Sequence, residues 1–244
     1  MIVLEGISKT YAKSARKAVD SIRLAVPDGK VFGFLGPNGA GKTTTLRLAC
    51  GSLSPDSGTV LIDGIPMASR PLEAKSRIGL VQDNPELFNK LKAHEYLDFV
   101  ADVFRVSPAD RRARIEAYTE RLSIADVLGS SIGSMSRGMK QKLCIVASLV
   151  HDPWNWILDE PMVGLDPEAA FELKAIMRER TDSGKCVFFS THVMEVAEKV
   201  CDELAIIVSG RIAFSGGLGE LKASRGRDAS LESLFLDLVD GEEG

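Results

Sequence analysis

The sequence predicts an α/β protein: a parallel-sheet core, an antiparallel β portion and an inserted run of helices. Three observations predict it. Short, continuously apolar segments, among them Val31 to Leu35, Trp156 to Leu158 and Cys186 to Ser190, read as buried strands. Turn-punctuated strand patterns occupy the N-terminal part, and between roughly residues 86 and 151 the pattern turns helical.

In chain order, Ile2 to Ile7, Val19 to Val26 and Thr59 to Asp63 read as antiparallel strands, punctuated by Pro27-Asp28-Gly29 and Asp63-Gly64. Tyr96, Val100, Val103 and Phe104 mark one helical stripe, and Pro108 can open the next helix at its first turn. Met139, Leu143, Val146 and Val150 form another stripe, with Ser136 before it as an N-cap. Asn155 interrupts an apolar strand between Trp154 and Trp156, and these three read as packing and edge residues. Downstream, Glu203 to Val208 and Arg211 to Phe214 read as strands around Ser209-Gly210. Leu231, Leu234, Phe235, Leu238 and Val239 form a last amphipathic stripe, which either packs on its own core or serves as a docking or dimerisation helix.

Composition sets the outer limits. With 244 residues, 45% hydrophobic and 26% charged, the chain can bury a sizeable core, which excludes disorder for its bulk. No apolar stretch approaches the roughly 18 residues that suggest a membrane span. Met1 to Glu5 lacks the basic start and apolar run of a signal peptide. Thirty basic against 34 acidic residues give a net charge of −4, so no global electrostatic case for nucleic acid exists. Cys50, Cys144, Cys186 and Cys201 show no C-x-x-C spacing and read as buried reduced thiols of a cytosolic protein.

The chemistry starts at the end of the first apolar strand. Gly36-Pro37-Asn38-Gly39-Ala40-Gly41-Lys42-Thr43-Thr44 fits G-x-x-x-x-G-K-[ST], and a helix-like stretch then runs to about Cys50, where Gly51 can terminate it. Such a loop curls so that backbone N–H groups point at an anion, and the helix N-terminus adds partial positive charge. Lys42 is placed to reach β- and γ-phosphates and Thr43 to ligate Mg²⁺. A second site is needed to hold the metal and direct water, and Asp159-Glu160 at the end of an apolar strand supplies it: Asp159 for Mg²⁺, Glu160 for the attacking water. His192 follows the strand Cys186 to Ser190, and strand carboxyl ends in open parallel sheets face the ligand, so it is read as a γ-phosphate contact.

These residues, in this order, resemble the ATP-binding subunit of an ABC transporter, most like the ABC-2 exporter class, over nearly the whole chain. The distinguishing segment is Met135-Ser136-Arg137-Gly138-Met139-Lys140-Gln141-Lys142, similar to the family's L-S-G-G-Q signature but departing from it at Arg137 and Met139. The resemblance implies a RecA-like P-loop NTPase core (residues 1–85 and 152–244, with an antiparallel β subdomain) and a helical signature subdomain (residues 86–151), together one domain. It implies further sites: Tyr11 stacking on adenine, Ser136 and Gly138 on phosphate, and Asp166 in the D-loop. Asp166 before Pro167 also reads independently as an N-cap. The Q-loop oxygen ligand falls on Gln82 or Asp83, both of which offer an oxygen to a hard cation.

The resemblance also implies partners: a separate transmembrane permease subunit, and a second ATPase chain, identical or related, facing the first head to tail with ATP between them. The permease would dock near Asn84 to Phe104. The location implied is the cytoplasmic face of the membrane, and export is preferred to import. The competing reading is an ABC ATPase without a pore, for instance in cofactor assembly. A P-loop kinase or GTPase is disfavoured, since it has no use for the segment at Ser136 and the chain lacks N-K-x-D.

Overall fold

The computed structural model describes residues 1–12, 16–83, 87–225 and 230–240. The chain opens with β1 (Ile2–Thr10), β2 (Lys17–Val26) and β3 (Val31–Leu35), then α1 (Lys42–Ala49), β4 (Ser57–Ile62), β5 (Ile65–Pro66), α2 (Pro71–Ser76) and β6 (Ile78–Val81). Three helices follow: α3 (Ala93–Val103), α4 (Pro108–Arg121) and α5 (Arg137–Leu149). The chain returns through β7 (Asn155–Asp159), α6 (Pro167–Asp182), β8 (Cys186–Thr191), α7 (Met194–Val200), β9 (Glu203–Val208) and β10 (Arg211–Gly217), and ends in α8 (Leu218–Arg225) and α9 (Leu231–Asp240).

Two sheets result. An antiparallel sheet has the order β2-β1-β4-β5, and the larger one runs β10-β9-β3-β8-β7-β6. In the larger sheet β9, β3, β8, β7 and β6 are mutually parallel, and β10 pairs antiparallel at one edge.

Strand alternation explains why these parallel strands read as unbroken apolar runs: both faces are covered. Phe32, Phe34, Ile157 and Phe188 point to one side, where they pack with Leu46 and Leu48 of α1 and with Ile2, Leu4 and Ile62 of the antiparallel sheet. Trp156, Leu158, Val187 and Phe189 point to the other, against α5 and Leu173 and Met177 of α6. A third cluster joins Leu204 and Ile206 to Leu231, Leu234 and Leu238 of α9, so the C-terminal stripe packs on its own core.

Several local expectations need correction. On α3 the buried residues are Ala93, Leu97 and Ala101, while Val103 is 60% exposed. Tyr96 and Val100 of the expected stripe pack partly buried against the same core and Phe104 stacks on His151, so Val103 alone of the four faces solvent. Asn155 is not at an edge: β7 lies between β8 and β6, and Asn155 is fully buried. A polar side chain is tolerated there because its amide donates to the Asp63 carboxylate at 3.1 Å. Trp156 is a core residue, whereas Trp154 stays partly exposed. Cys50, Cys144 and Cys186 are buried free thiols and Cys201 is partly buried. Burial pushes the thiols of Cys144, Cys186 and Cys201 up to about 12.

Candidate functional site

β3 delivers the chain into the loop Gly36–Gly41, and α1 starts at Lys42. Gly41 is the N-cap residue with φ of 110°, and a Cβ there would run into the Ala18 carbonyl, so this position is closed to other residues. Lys42 is buried; its Nζ donates to the carbonyl of Gly36 at 2.7 Å and lies 3.3 Å from that of Pro37. Burial pushes its ammonium below the ordinary lysine range, while the Glu160 and Asp159 carboxylates pull the other way.

The ends of β7 and β8 bring the acids and the imidazole to the same rim. Glu160 Oε1 lies 3.8 Å from Lys42 Nζ and 2.9 Å from His192 Nδ1. Glu160 has φ of 47°, in the left-handed region. Ser190, on β8, fixes both acids: its hydroxyl donates to Asp159 Oδ1 at 2.6 Å and accepts from the Glu160 N–H at 3.0 Å. Sequence reasoning assigned Ser190 no role; its only sequence signal is a hydroxyl at the carboxyl end of a buried strand.

Beside this cluster is a cavity of about 100 Å³ lined by Thr43, Gln82, Asp83 and Asp159, the four candidate metal ligands, together with Leu46, Arg47 and Leu80. Among the described residues no group of three or more His, Cys, Asp or Glu forms an all-protein metal cage. Mg²⁺ is usually held by one or two carboxylates and substrate phosphates, keeping several waters, so an all-oxygen set of hydroxyl, amide carbonyl and carboxylate fits it. Both Gln82 and Asp83 open onto the cavity, and Asp83 is also drawn to Arg137 at 3.5 Å. Tyr11 follows β1 at the edge of the loop, 43% exposed, with its hydroxyl 3.2 Å from Thr44 Oγ1.

Ser136 and Gly138 lie at the start of α5, and Asp166 lies just before α6. Ser136 caps α5, its hydroxyl accepting from the Met139 N–H at 3.2 Å. Asp166 caps α6, accepting from the Ala169 N–H at 2.9 Å, with Pro167 in the first turn. Asn84, Pro85 and Glu86, where the docking region was expected to begin, lie outside the described residues. The rest of that region borders a groove of about 400 Å³ lined by Leu80, Gln82, Leu87, Tyr96, Phe104 and His151, among others.

The family model for ABC transporters matches residues 19–163, which run from β2 through the phosphate loop and signature helix to just past Glu160. The chain belongs to the ABC transporter family. This ABC chain is 34% identical over 239 residues to the ABC transporter ATP-binding protein NatA of Bacillus subtilis (strain 168), covering 97% of each. It is 35% identical over 223 residues to the Nod factor export ATP-binding protein I of Paraburkholderia xenovorans (strain LB400), covering 91% of this chain and 73% of that one. Among solved structures, an ATP-binding subunit of an ABC transporter superposes with a TM-score of 0.93 at 30% identity, covering 98% of this chain and 99% of the other. The ABC chain is thus an ATP-binding ATPase with the P-loop NTPase fold.

Proposed function

We propose that the chain drives transport, in the export direction, through a separate membrane permease, by ATP-dependent head-to-tail pairing with an identical or related chain. The observation that supports this reading is that two anion-directed elements lie on different parts of the fold. One is the phosphate loop with Glu160 and His192; the other is the start of α5 at Ser136, on the inserted helices. In this reading a triphosphate seated on the loop of one copy is met by Ser136 and Gly138 of the second.

Within the site, Gly36 to Thr44 hold the phosphates, and Lys42 leaves its own loop carbonyls for the β- and γ-oxygens. Thr43 and Asp159, with Gln82 or Asp83, hold Mg²⁺, which supplies neutralisation of charge on those oxygens. Glu160 orients the attacking water and accepts its proton; His192 holds Glu160 through Nδ1 and leaves Nε2 for the γ-phosphate. Tyr11 stacks on adenine, a contact worth about 1–3 kcal/mol by analogy with base stacking. Asp166 belongs to the loop that crosses to the partner site.

No helix among the described residues is long and apolar enough to cross a membrane, and in this reading a separate membrane chain carries the pore. The 400 Å³ groove fits an amphipathic segment of it, since Phe88 and Phe99 are exposed beside Tyr96 on its border. In this reading the chain sits peripherally on the cytoplasmic face, with residues 86–151 as the signature-bearing subdomain. The likeness to a relative named for Nod factor export supports the export direction.

Glu160→Gln tests the reading. It should bind ATP, turn over about a hundredfold more slowly or worse, and run as a dimer on gel filtration with ATP. A variant that stays monomeric when saturated with ATP refutes the paired site.

A further inference from the structure

We propose that Gly210, in the turn between β9 and β10, is a positioning residue for the nucleotide: through its own backbone it braces the phosphate loop against β2. The inference rests on the preceding reading of Gly36 to Thr44 as the phosphate cradle. Gly210 N–H donates to the Ala40 carbonyl at 2.9 Å, and the Gly210 carbonyl accepts from the Asp20 N–H at 2.8 Å. A trans peptide is planar, so its C=O and N–H point opposite ways. Holding the Ala40 carbonyl toward the turn therefore aims the Gly41 N–H away from it. The bond that the carbonyl accepts also polarises this N–H into a stronger donor for an anion.

Close contacts on both sides leave the loop no slack. A Cβ on Gly41 would stand 2.3 Å from the Ala18 carbonyl oxygen, and one on Gly36 would stand 2.5 Å from that of Ile207 in β9. Gly210 leans on the same Ala18 oxygen, which a Cβ there would meet at 3.0 Å. β2 and β10 are edge strands of different sheets. Arg211 ties them from outside, with Nε and Nη2 at 2.9 and 2.7 Å from Asp20 Oδ2. A hairpin turn alone does not require this proximity. Asp63-Gly64, between β4 and β5, has the same pair of left-handed residues, with φ of 51° and 77° against 48° and 82° at Ser209-Gly210. Yet a Cβ on Gly64 meets nothing within 4 Å. Turn geometry accounts for both glycines; of the two, only Gly210 is pressed between β2 and the phosphate loop.

The experiment titrates the full chain with fluorescent ATP and displaces it with tripolyphosphate, which carries phosphates and no base; steady-state ATPase kinetics run beside it. Gly210→Ala crowds the Ala18 carbonyl, lifts the turn and loosens its bond to Ala40. ATP and tripolyphosphate should both bind about tenfold more weakly. kcat at saturating ATP should stay within about twofold of wild type, since Glu160 and His192 stand at the ends of β7 and β8, which the turn does not touch. Gly64→Ala imposes the same left-handed strain in the other turn and should leave both affinities within about twofold of wild type. Unchanged affinity in Gly210→Ala, an equal loss in Gly64→Ala, or a loss for ATP without one for tripolyphosphate would each overturn the brace. Should Gly210→Ala not fold, Arg211→Met decides, because it removes only the exposed outer tie: binding of both ligands weakened about threefold supports the brace, and unchanged binding overturns it. Lys42→Ala is titrated in parallel. Wild-type affinity there removes the phosphate-cradle reading, whereas lost affinity there beside wild-type affinity in Gly210→Ala removes only the brace.

Discussion

His151 carries the one perturbation whose size follows directly from the structure. Its ring stacks on Phe104, centroids 3.6 Å apart and planes at 11°, and its Nε2 lies 2.9 Å from the Ile78 carbonyl. Nε2 must therefore carry the hydrogen, while Nδ1 is buried with no partner among the described residues. Burial pushes the imidazole down to about 4 from an ordinary 6.5, with the cations of Arg180 and Arg114 adding to the shift and the Ile78 bond opposing it. Above pH 6.5 the ring is neutral whether the chain is folded or not. Between 6.5 and about 4 the unfolded chain takes up a proton that the folded one refuses, so stability falls as pH falls. A gap of that width corresponds to about 3 kcal/mol at its acid end. His151→Phe keeps the stack and loses the bond to the Ile78 carbonyl, at about 1 kcal/mol regardless of pH. Urea unfolding followed by tryptophan fluorescence, across this pH window, should therefore show a crossing: the variant weaker at neutral pH and stronger by about 2 kcal/mol near the acid end. Parallel pH profiles for the two proteins would refute the argument.

Two further outcomes concern the nucleotide. Lys42→Ala should weaken ATP binding on the order of tenfold or more in a fluorescent-nucleotide titration, since it removes a charge-assisted contact to phosphate; unchanged binding would show that the loop does not hold the triphosphate. Ser136→Trp should abolish ATP-driven dimerisation of the Glu160→Gln background on gel filtration while monomer affinity stays unchanged. Loss of monomer affinity instead would mean that Ser136 serves its own chain's nucleotide.

The parts legible in the sequence are those in which one physical cause dominates. Val31–Leu35 and Cys186–Thr191 are covered on both faces, so their apolar runs identify them as strands. Ser136 and Asp166 announce helix starts because capping is local chemistry, and the glycine-lysine loop because its backbone needs those residues at that spacing. Other features depend on partners distant in the chain. Asn155 looks misplaced until Asp63 is seen beside it. On α3, Ala93 and Ala101 are buried beside Leu97 while Val103 is exposed, an order that hydrophobicity alone does not give. β6 is four residues long and includes Gly79, too short to stand out. The double role of Ser190 exists only where β7 and β8 lie side by side.

The contact between Arg137 and Asp83 joins positions 54 residues apart, one in the segment that departs from the family's signature and the other a candidate ligand of the cavity. Both side chains are largely exposed, so the pair adds little to stability. Its weight is local: a guanidinium balances a carboxylate at the mouth of the oxygen-lined cavity. Replacing Arg137 by glycine releases the Asp83 carboxylate from that ion pair and leaves it to the cavity it lines.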